Sequence, residues 1–331
     1  MGGRIRNDGR VMLDLLREFR ERTRRHAFEG SVLACALCGG TDHAVVGRRD
    51  RWLHPLITVC CKTCGLVFAN PMPSAEEVEA YYQRDYRQHI SGIDEPDGRY
   101  LMRARKGCRE RFHAIKSDMP ATGRWLDVGT AAGEFLKLVK ENGYEALGIE
   151  PSPSFAAFAR REYGLEIMNC GWQDAPIADA SLDVVTIHHV LEHLRAPMDA
   201  LAAFHRWLRP GGILYVSVPN IYRPHRSPMS RFHFAHLYNF WPKTLVMAGL
   251  KAGFEPLHGR DQTETTVIFR RVEPKPADWF CFPESAAELR RHFAEHTNLR
   301  YLLSAQPHTR LPRRLYRSIR QRLAARKGAP G

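Results

Sequence analysis

Two rhythms of apolar and polar positions alternate along the chain. Val11, Met12, Leu15, Leu16 and Phe19 recur at helical spacing and predict an amphipathic helix over residues 10–28. Residues 31–70 hold only short apolar runs, punctuated by cysteines. "NPMPSAEEVEAYY" predicts a new helix, with Ser74 as its N-cap and acids in its first turn. From about 122 to 272, strand-like and helix-like segments take turns. "WLDVG" precedes helical "AGEFLKLVKENG", and "EALGIE" precedes helical "SPSFAAFARREYG"; both helices stop at glycine. "LEIMNC", "LDVVTI", "ILYVSVP" and "TTVIFRRV" read as strands. "PMDALAAFHRWLRPGG" reads as a helix halted by Gly-Gly, and "WPKTLVMAGLKAGF" as a further helix. This repetition predicts an α/β fold with a mostly parallel sheet covered on both faces. Past 273 the pattern loosens.

The expected divisions are an N-terminal helix in 1–30, a cysteine module in 31–70 and a helical connector in 71–120. An α/β domain in 121–272 and a C-terminal extension in 273–331 complete them. The length of 331 residues suits roughly two domains. Its charge of +13 sits at the ends: residues 301–331 contribute eight cations and no acid, and residues 1–30 add +3. The near-neutral middle gives no reason to expect an anionic polymer on the α/β domain, so nucleic acid is not the expected partner. No apolar run approaches the roughly 18 residues of a membrane span. The start lacks a secretory apolar stretch, so a cytoplasmic setting is expected.

The segment "RWLDVGTAAGEF" joins a strand to a helix, where ligands sit in α/β sheets. A dinucleotide loop has G-x-G-x-x-G, its middle glycine admitting a pyrophosphate. Here that middle position is Ala131, and Asp127 stands where it would repel a phosphate. Glu150 ends the next strand, where a carboxylate can accept from both ribose hydroxyls. The loop asks for a nucleoside with a cationic, phosphate-free tail, which is the chemistry of S-adenosylmethionine (SAM). A plain strand-turn-helix with a convenient glycine is the alternative.

Cys35-x2-Cys38 and Cys61-x2-Cys64 each end in Cys-Gly. Two such pairs in a reducing compartment suit a closed tetrahedral zinc site, structural and without an open position. Cys60 is a spare that could compete with Cys61.

"LDVGTAAGEFL", "LGIEPS", "LDVVTIHHVLEHL", "LRPGGILYVSVPN" and "TLVMAGLKAGFE" follow the order and spacing of class I SAM-dependent methyltransferases. Over about 120–272 the chain resembles that family, which implies a Rossmann-like seven-stranded sheet with an antiparallel seventh strand. The resemblance puts Asp127, Gly129, Thr130 and Gly133 around the methionyl end of the cofactor and Glu150 on the ribose. It puts Gly171 and Trp172 beside the adenine; many members have an acid there, and Asp174 is the alternative. It puts His188 and His189 next to the methyl donor. A zinc ribbon followed by "GLVFANPMPSAEEVEAYYQRDY" and this core resembles bacterial sugar and glycan methyltransferases of cell-surface polysaccharide clusters. The C-methylating members carry a further C-terminal domain for which this chain is short, so O-methylation of a nucleotide- or lipid-linked sugar or glycan is expected.

A hydroxyl acceptor needs a base, for which histidine is suited. His236, with His233 as neighbour, is the expected base, because related enzymes often carry a histidine over the substrate pocket there. His193 and Glu192 in "LEHL" would orient the substrate, bind a metal with His189, or simply hold a loop. In the tail, Leu311, Leu315, Ile319 and Leu323 recur four apart among arginines. Residues 311–327 thus read as a basic amphipathic helix for an anionic membrane surface, or as a surface helix or disordered tail. Two other functions stay open: an RNA methyltransferase with a zinc ribbon, and a non-catalytic protein that kept the fold. The sequence says nothing of oligomeric state.

Overall fold

The computed structural model describes residues 33–51, 55–74, 76–77, 95–222, 227–261, 264–274 and 283–304. The helix predicted over 10–28 and the basic segment 311–327 lie outside these residues, as does most of the helix predicted from Ser74. The Ser74 cap itself is present: its hydroxyl accepts from the Glu77 N–H, and the Glu77 carboxylate accepts from the Ser74 N–H.

In chain order the strands are β1 (His43–Arg49), β2 (Pro55–Cys61), β3 (Val67–Ala69), β4 (Arg124–Val128), β5 (Glu145–Ile149) and β6 (Glu166–Met168). They continue as β7 (Leu182–His188), β8 (Leu208–Pro219), β9 (Tyr238–Asn239), β10 (Phe254–Asp261) and β11 (Glu264–Arg271). The helices are α1 (Gly98–Ile115), α2 (Glu134–Glu141), α3 (Pro153–Tyr163), α4 (Pro197–Trp207), α5 (Pro242–Lys251), α6 (Pro283–Glu295) and α7 (Asn298–Leu303).

The larger sheet has seven strands in the order β10-β11-β8-β7-β4-β5-β6. β6, β5, β4, β7 and β8 run parallel. β11 is antiparallel to both β8 and β10, as the resemblance implied. This is the Rossmann-like seven-stranded sheet that the resemblance implied. Strands buried on both faces explain the unbroken apolar runs: Leu126, Val184, Val185, Ile187, Leu214 and Val216 are all fully buried. Trp125 is buried under Phe112 of α1 and Phe135 of α2, and its indole N–H donates to Thr186 Oγ1 at 3.1 Å.

The helix expected to halt at Gly-Gly ends earlier, at Trp207; residues 208–212 open β8 instead. Pro210 disfavours helical geometry at Arg209, and Leu208 is already paired with Leu182.

The cysteine module is an antiparallel sheet in the order β1-β2-β3-β9. Its fourth strand comes from the far end of the α/β domain, with Val67 opposite Asn239 and Phe68 opposite Tyr238. The Ala69 N–H donates to Leu237 O at 2.8 Å, and Lys251 Nζ at the end of α5 donates to Leu37 O at 2.7 Å. Leu37, Leu66 and Phe68 share one apolar cluster with Val128, Ile187, Leu237 and Phe240. On the other face, Leu56 and Val67 pack with Phe232, Trp241 and Leu289 of α6. Burial at roughly 25 cal/mol per Å² makes such shared clusters the main attachment between the two sheets.

Candidate active site and metal centre

The glycine loop leaves β4 with two left-handed residues that need glycine. Gly129 has φ +75, and a Cβ there would lie 2.4 Å from Val190 Cγ2. Gly133, φ +82, begins α2 and faces Leu165 and Ala159 at 2.7 and 2.9 Å from a would-be Cβ. The Gly129 and Thr130 N–H groups both donate to Ile149 O. Glu150 accepts from the Ala131 N–H at 2.9 Å and the Ser152 N–H at 2.8 Å, which ties the loop to the end of β5. Asp127 is 3% exposed and accepts from Thr186 Oγ1 at 2.6 Å. Burial raises its pKa, against the pull of Arg111 and its hydrogen bonds.

A cavity of about 990 Å³ opens in front of this loop. Asp127, Gly129, Thr130 and His188 line it together with Arg111 of α1, Tyr215 and Glu264. Gly171 and Trp172 lie beyond β6, where a short helical turn spans Trp172–Asp174. Asp174, the alternative, is exposed in that turn. His188 is desolvated, and burial with the nearby Arg111 charge holds its pKa well below the usual histidine value.

From His188 a row of side chains leads away. The His188 and His189 rings lie 4.3 Å apart between centroids. His189 has φ +54, a strained conformation for a residue with a Cβ, and strain of this kind gathers at functional sites. Its Nε2 is 3.1 Å from Glu264 Oε1 and its Nδ1 is 3.7 Å from Glu192 Oε1. Hydrogen bonding to Glu264 and the charges of Glu192 and Glu264 outweigh burial and raise the His189 pKa. Glu192 Oε1 is also 3.7 Å from His193 Nε2. The His193 and His236 rings are 4.9 Å apart, and His233 and His236 are 5.0 Å apart. The structure therefore brings His193, His233 and His236 together, beside His189. Burial and the neighbouring His193 and His233 hold the His236 pKa well below its usual value, so it is a weak base on its own.

Sequence reasoning missed two of these residues. Glu264 had a weak signal, as an acid heading an apolar strand. Arg111 had none, because an arginine on a polar helix looks like a solvated one; here its guanidinium lies 3.8 Å over the Phe135 ring.

The four expected metal ligands also converge. Cys35, Cys38, Cys61 and Cys64 place their sulfurs within 4.8 Å of one another, none in a disulfide. The Cys35–Cys64 and Cys38–Cys61 pairs are 3.5 Å apart. A tetrahedron with 2.3 Å metal–sulfur bonds has edges of about 3.8 Å, so the four sulfurs fit it. Cys60 is outside the cluster. Burial pushes its thiol up to about 12, and its Sγ points to the Cys61 carbonyl at 3.6 Å.

Residues 74–258 match the family described as a methyltransferase domain, and the chain belongs to it: it is a methyltransferase that uses SAM as donor. It is 29% identical over 174 residues to a demethylmenaquinone methyltransferase of Chlorobaculum tepidum, covering 52% of this chain and 68% of the relative. It is 32% identical over 117 residues to a ubiquinone biosynthesis O-methyltransferase of Methylococcus capsulatus, covering 33% of this chain and 49% of the relative. The chain thus spans about two thirds of one relative's length and about half of the other's. Among solved structures, the 1,6-didemethyltoxoflavin-N1-methyltransferase of Burkholderia thailandensis is similar with 20% identity and a TM-score of 0.47. That match covers 63% of this chain and 96% of the other. No helix among the described residues is long and apolar enough to cross a membrane.

Proposed function

We propose that the protein O-methylates a small hydroxylated acceptor, a sugar or glycan unit as its motifs suggest, with a structural zinc in the cysteine module. One observation carries the reading of the acceptor. The histidine row starts beside the donor cavity at His188 and carries two carboxylates, Glu192 and Glu264, among its imidazoles. Such a row suits a neutral, hydrogen-bonding acceptor and repels a phosphate backbone, which disfavours RNA. The O-methyltransferase name of the Methylococcus relative lends support to oxygen as the methylated atom.

SAM supplies a sulfonium-bound methyl group. Asp127, buried at the end of β4, would face its cationic end, and Glu150 would accept from its ribose hydroxyls. Arg111, on the cavity wall, would meet its carboxylate. The row would hold the acceptor oxygen, which would attack the methyl carbon. The O–C bond would form as the C–S bond breaks with its pair going to sulfur, and the hydroxyl proton would leave through the row to water. Holding acceptor and donor in line supplies on the order of 7–11 kcal/mol in favourable cases.

Calorimetric titration of the zinc-replete protein with SAM tests the donor half. Micromolar binding that weakens at least a hundredfold in Asp127→Asn is expected; equal affinity in the variant would remove Asp127 from the site. Transfer of labelled methyl to a panel of free, nucleotide-linked and lipid-linked sugars tests the acceptor half. Transfer to RNA bases alone would overturn it.

A further inference from the structure

The histidine row contains a carboxylate whose environment is incomplete. Glu192 is 1% exposed, and neither of its oxygens receives a hydrogen bond. Buried carboxylates are ordinarily paired or hydrogen-bonded, because desolvating one without partners is expensive. Glu192 Oε1 instead faces two imidazole nitrogens, His189 Nδ1 and His193 Nε2, each 3.7 Å away. His193 Nδ1 lies 2.7 Å from the Ala235 carbonyl, which can only accept, so Nδ1 carries the ring proton. His193 Nε2 then presents a lone pair toward Glu192 Oε1, 3.7 Å away. His236 adds a third ligand atom, and one atom from each of the three residues lies within 4.8 Å of the others. Three potential ligand atoms thus converge around a carboxylate that accepts no hydrogen bond, and a cation would satisfy that arrangement.

We propose that Glu192, His193 and His236 form a second metal site, distinct from the cysteine cluster, for a divalent transition-metal ion. The donor set selects the class of ion. Two imidazoles and one carboxylate suit Mn²⁺, Fe²⁺, Co²⁺ or Zn²⁺, and disfavour Mg²⁺ and Ca²⁺, which prefer all-oxygen shells. The bond from His193 Nδ1 to a backbone carbonyl is the outer-shell contact that fixes a metal-binding imidazole. Three protein ligands leave coordination positions open, unlike the closed four-thiol site.

The role of the ion rests on the acceptor reading above; its binding does not. Beside the donor cavity, an ion with open positions takes an acceptor that offers two neighbouring oxygens: a vicinal diol, a catechol or an α-hydroxy acid. It orients the oxygen to be methylated and lowers that hydroxyl's pKa, the proton leaving to water. His193 and His236 then serve as ligands, and neither has to act as base.

The test is titration of the full-length protein, already holding one zinc per chain, with Mn²⁺ followed by electron paramagnetic resonance. One further Mn²⁺ per chain is expected, bound at least tenfold more weakly in Glu192→Gln and in His236→Ala. Both variants should retain the cysteine-bound zinc and bind SAM as the parent does. The parent protein settles the matter even if a variant fails to fold. No Mn²⁺, Co²⁺ or Zn²⁺ taken up beyond the first zinc would overturn the site, as would Mn²⁺ uptake unchanged in well-folded Glu192→Gln. Failure of SAM binding alone would sink the donor reading and leave the metal site standing. Separately, an acceptor preference for vicinal oxygens that disappears in Glu192→Gln would support the assigned role, and a preference indifferent to the ion would overturn it.

Discussion

The cysteine cluster and the histidine row are two convergent sets of ligand atoms built in opposite ways. Each cysteine pair is local, two residues of spacing with a glycine after it, and hairpin strands carry the pairs together. The row joins residues 188–193, the end of β7 and its turn, to residues 233–236 and to Glu264 of β11. The first is closed, with four like ligands and a buried setting. The second is partly open, with mixed donors and a buried carboxylate lacking hydrogen bonds. A site that only has to hold shape can be completed by its own fold. The row, proposed as the acceptor site, is left short of partners.

Breaking the cysteine cluster should give the largest effect. Structural zinc contributes on the order of 10 kcal/mol to small zinc modules. Cys61→Ser is expected to release the zinc and lower the thermal midpoint sharply. It should also reduce methyl transfer, because β3 holds β9. A metal-free variant with an unchanged midpoint would separate the module from the domain's stability. Phe68→Ala comes next. The ring is 1% exposed and stacked 6.0 Å from Tyr238 across the joint, so about 3–5 kcal/mol should be lost in denaturant unfolding. A loss below 1 kcal/mol would show the joint to be loosely packed.

Gly129→Ala is expected to cost about 1–2 kcal/mol from its left-handed backbone alone. The contact with Val190 adds to that and should distort the loop, so SAM affinity should fall with stability. Unchanged calorimetric affinity would argue against the loop as the donor seat. The smallest effect is expected from Glu192→Gln. Replacing a buried carboxylate that accepts no hydrogen bond by its amide isostere should change metal-free stability by less than about 1 kcal/mol, with a gain the expected sign. A large loss in chemical denaturation would show Glu192 to be structural, and would blur the contrast between the two sites.

Legibility in the sequence follows the same division. The parallel sheet was readable because doubly buried strands write continuous apolar runs and helices end at glycines such as Gly164. The glycine loop after β4 was readable because Gly129 and Gly133 answer local backbone demands. Cys-x2-Cys pairs declare their own geometry. The row was only partly readable. "HHVLEHL" marked itself by composition, but nothing in the local sequence says that Glu264 will meet His189 or that His236 will meet His193. Those contacts depend on how β11 inserts beside β8 and where the segment before β9 is held. The two-residue strand β9 was missed for a similar reason. Tyr238 and Asn239 carry no strand period of their own, and they are a strand only because β3 lies alongside.

That pairing has a consequence for the order in which the molecule is made. β3 leaves the ribosome about 170 residues before β9 does. At about 5–20 residues per second, the wait is on the order of ten to thirty seconds. Through that interval β3 lacks its outer neighbour, and its free edge and the apolar face around Phe68 await a catalytic domain not yet synthesised. If the four thiols hold zinc, capture could come as soon as Cys64 is made, whereas the segment bearing His236 can dock only about 170 residues later. Zinc supply during synthesis would then bear on whether the segment before β9 finds its scaffold ready.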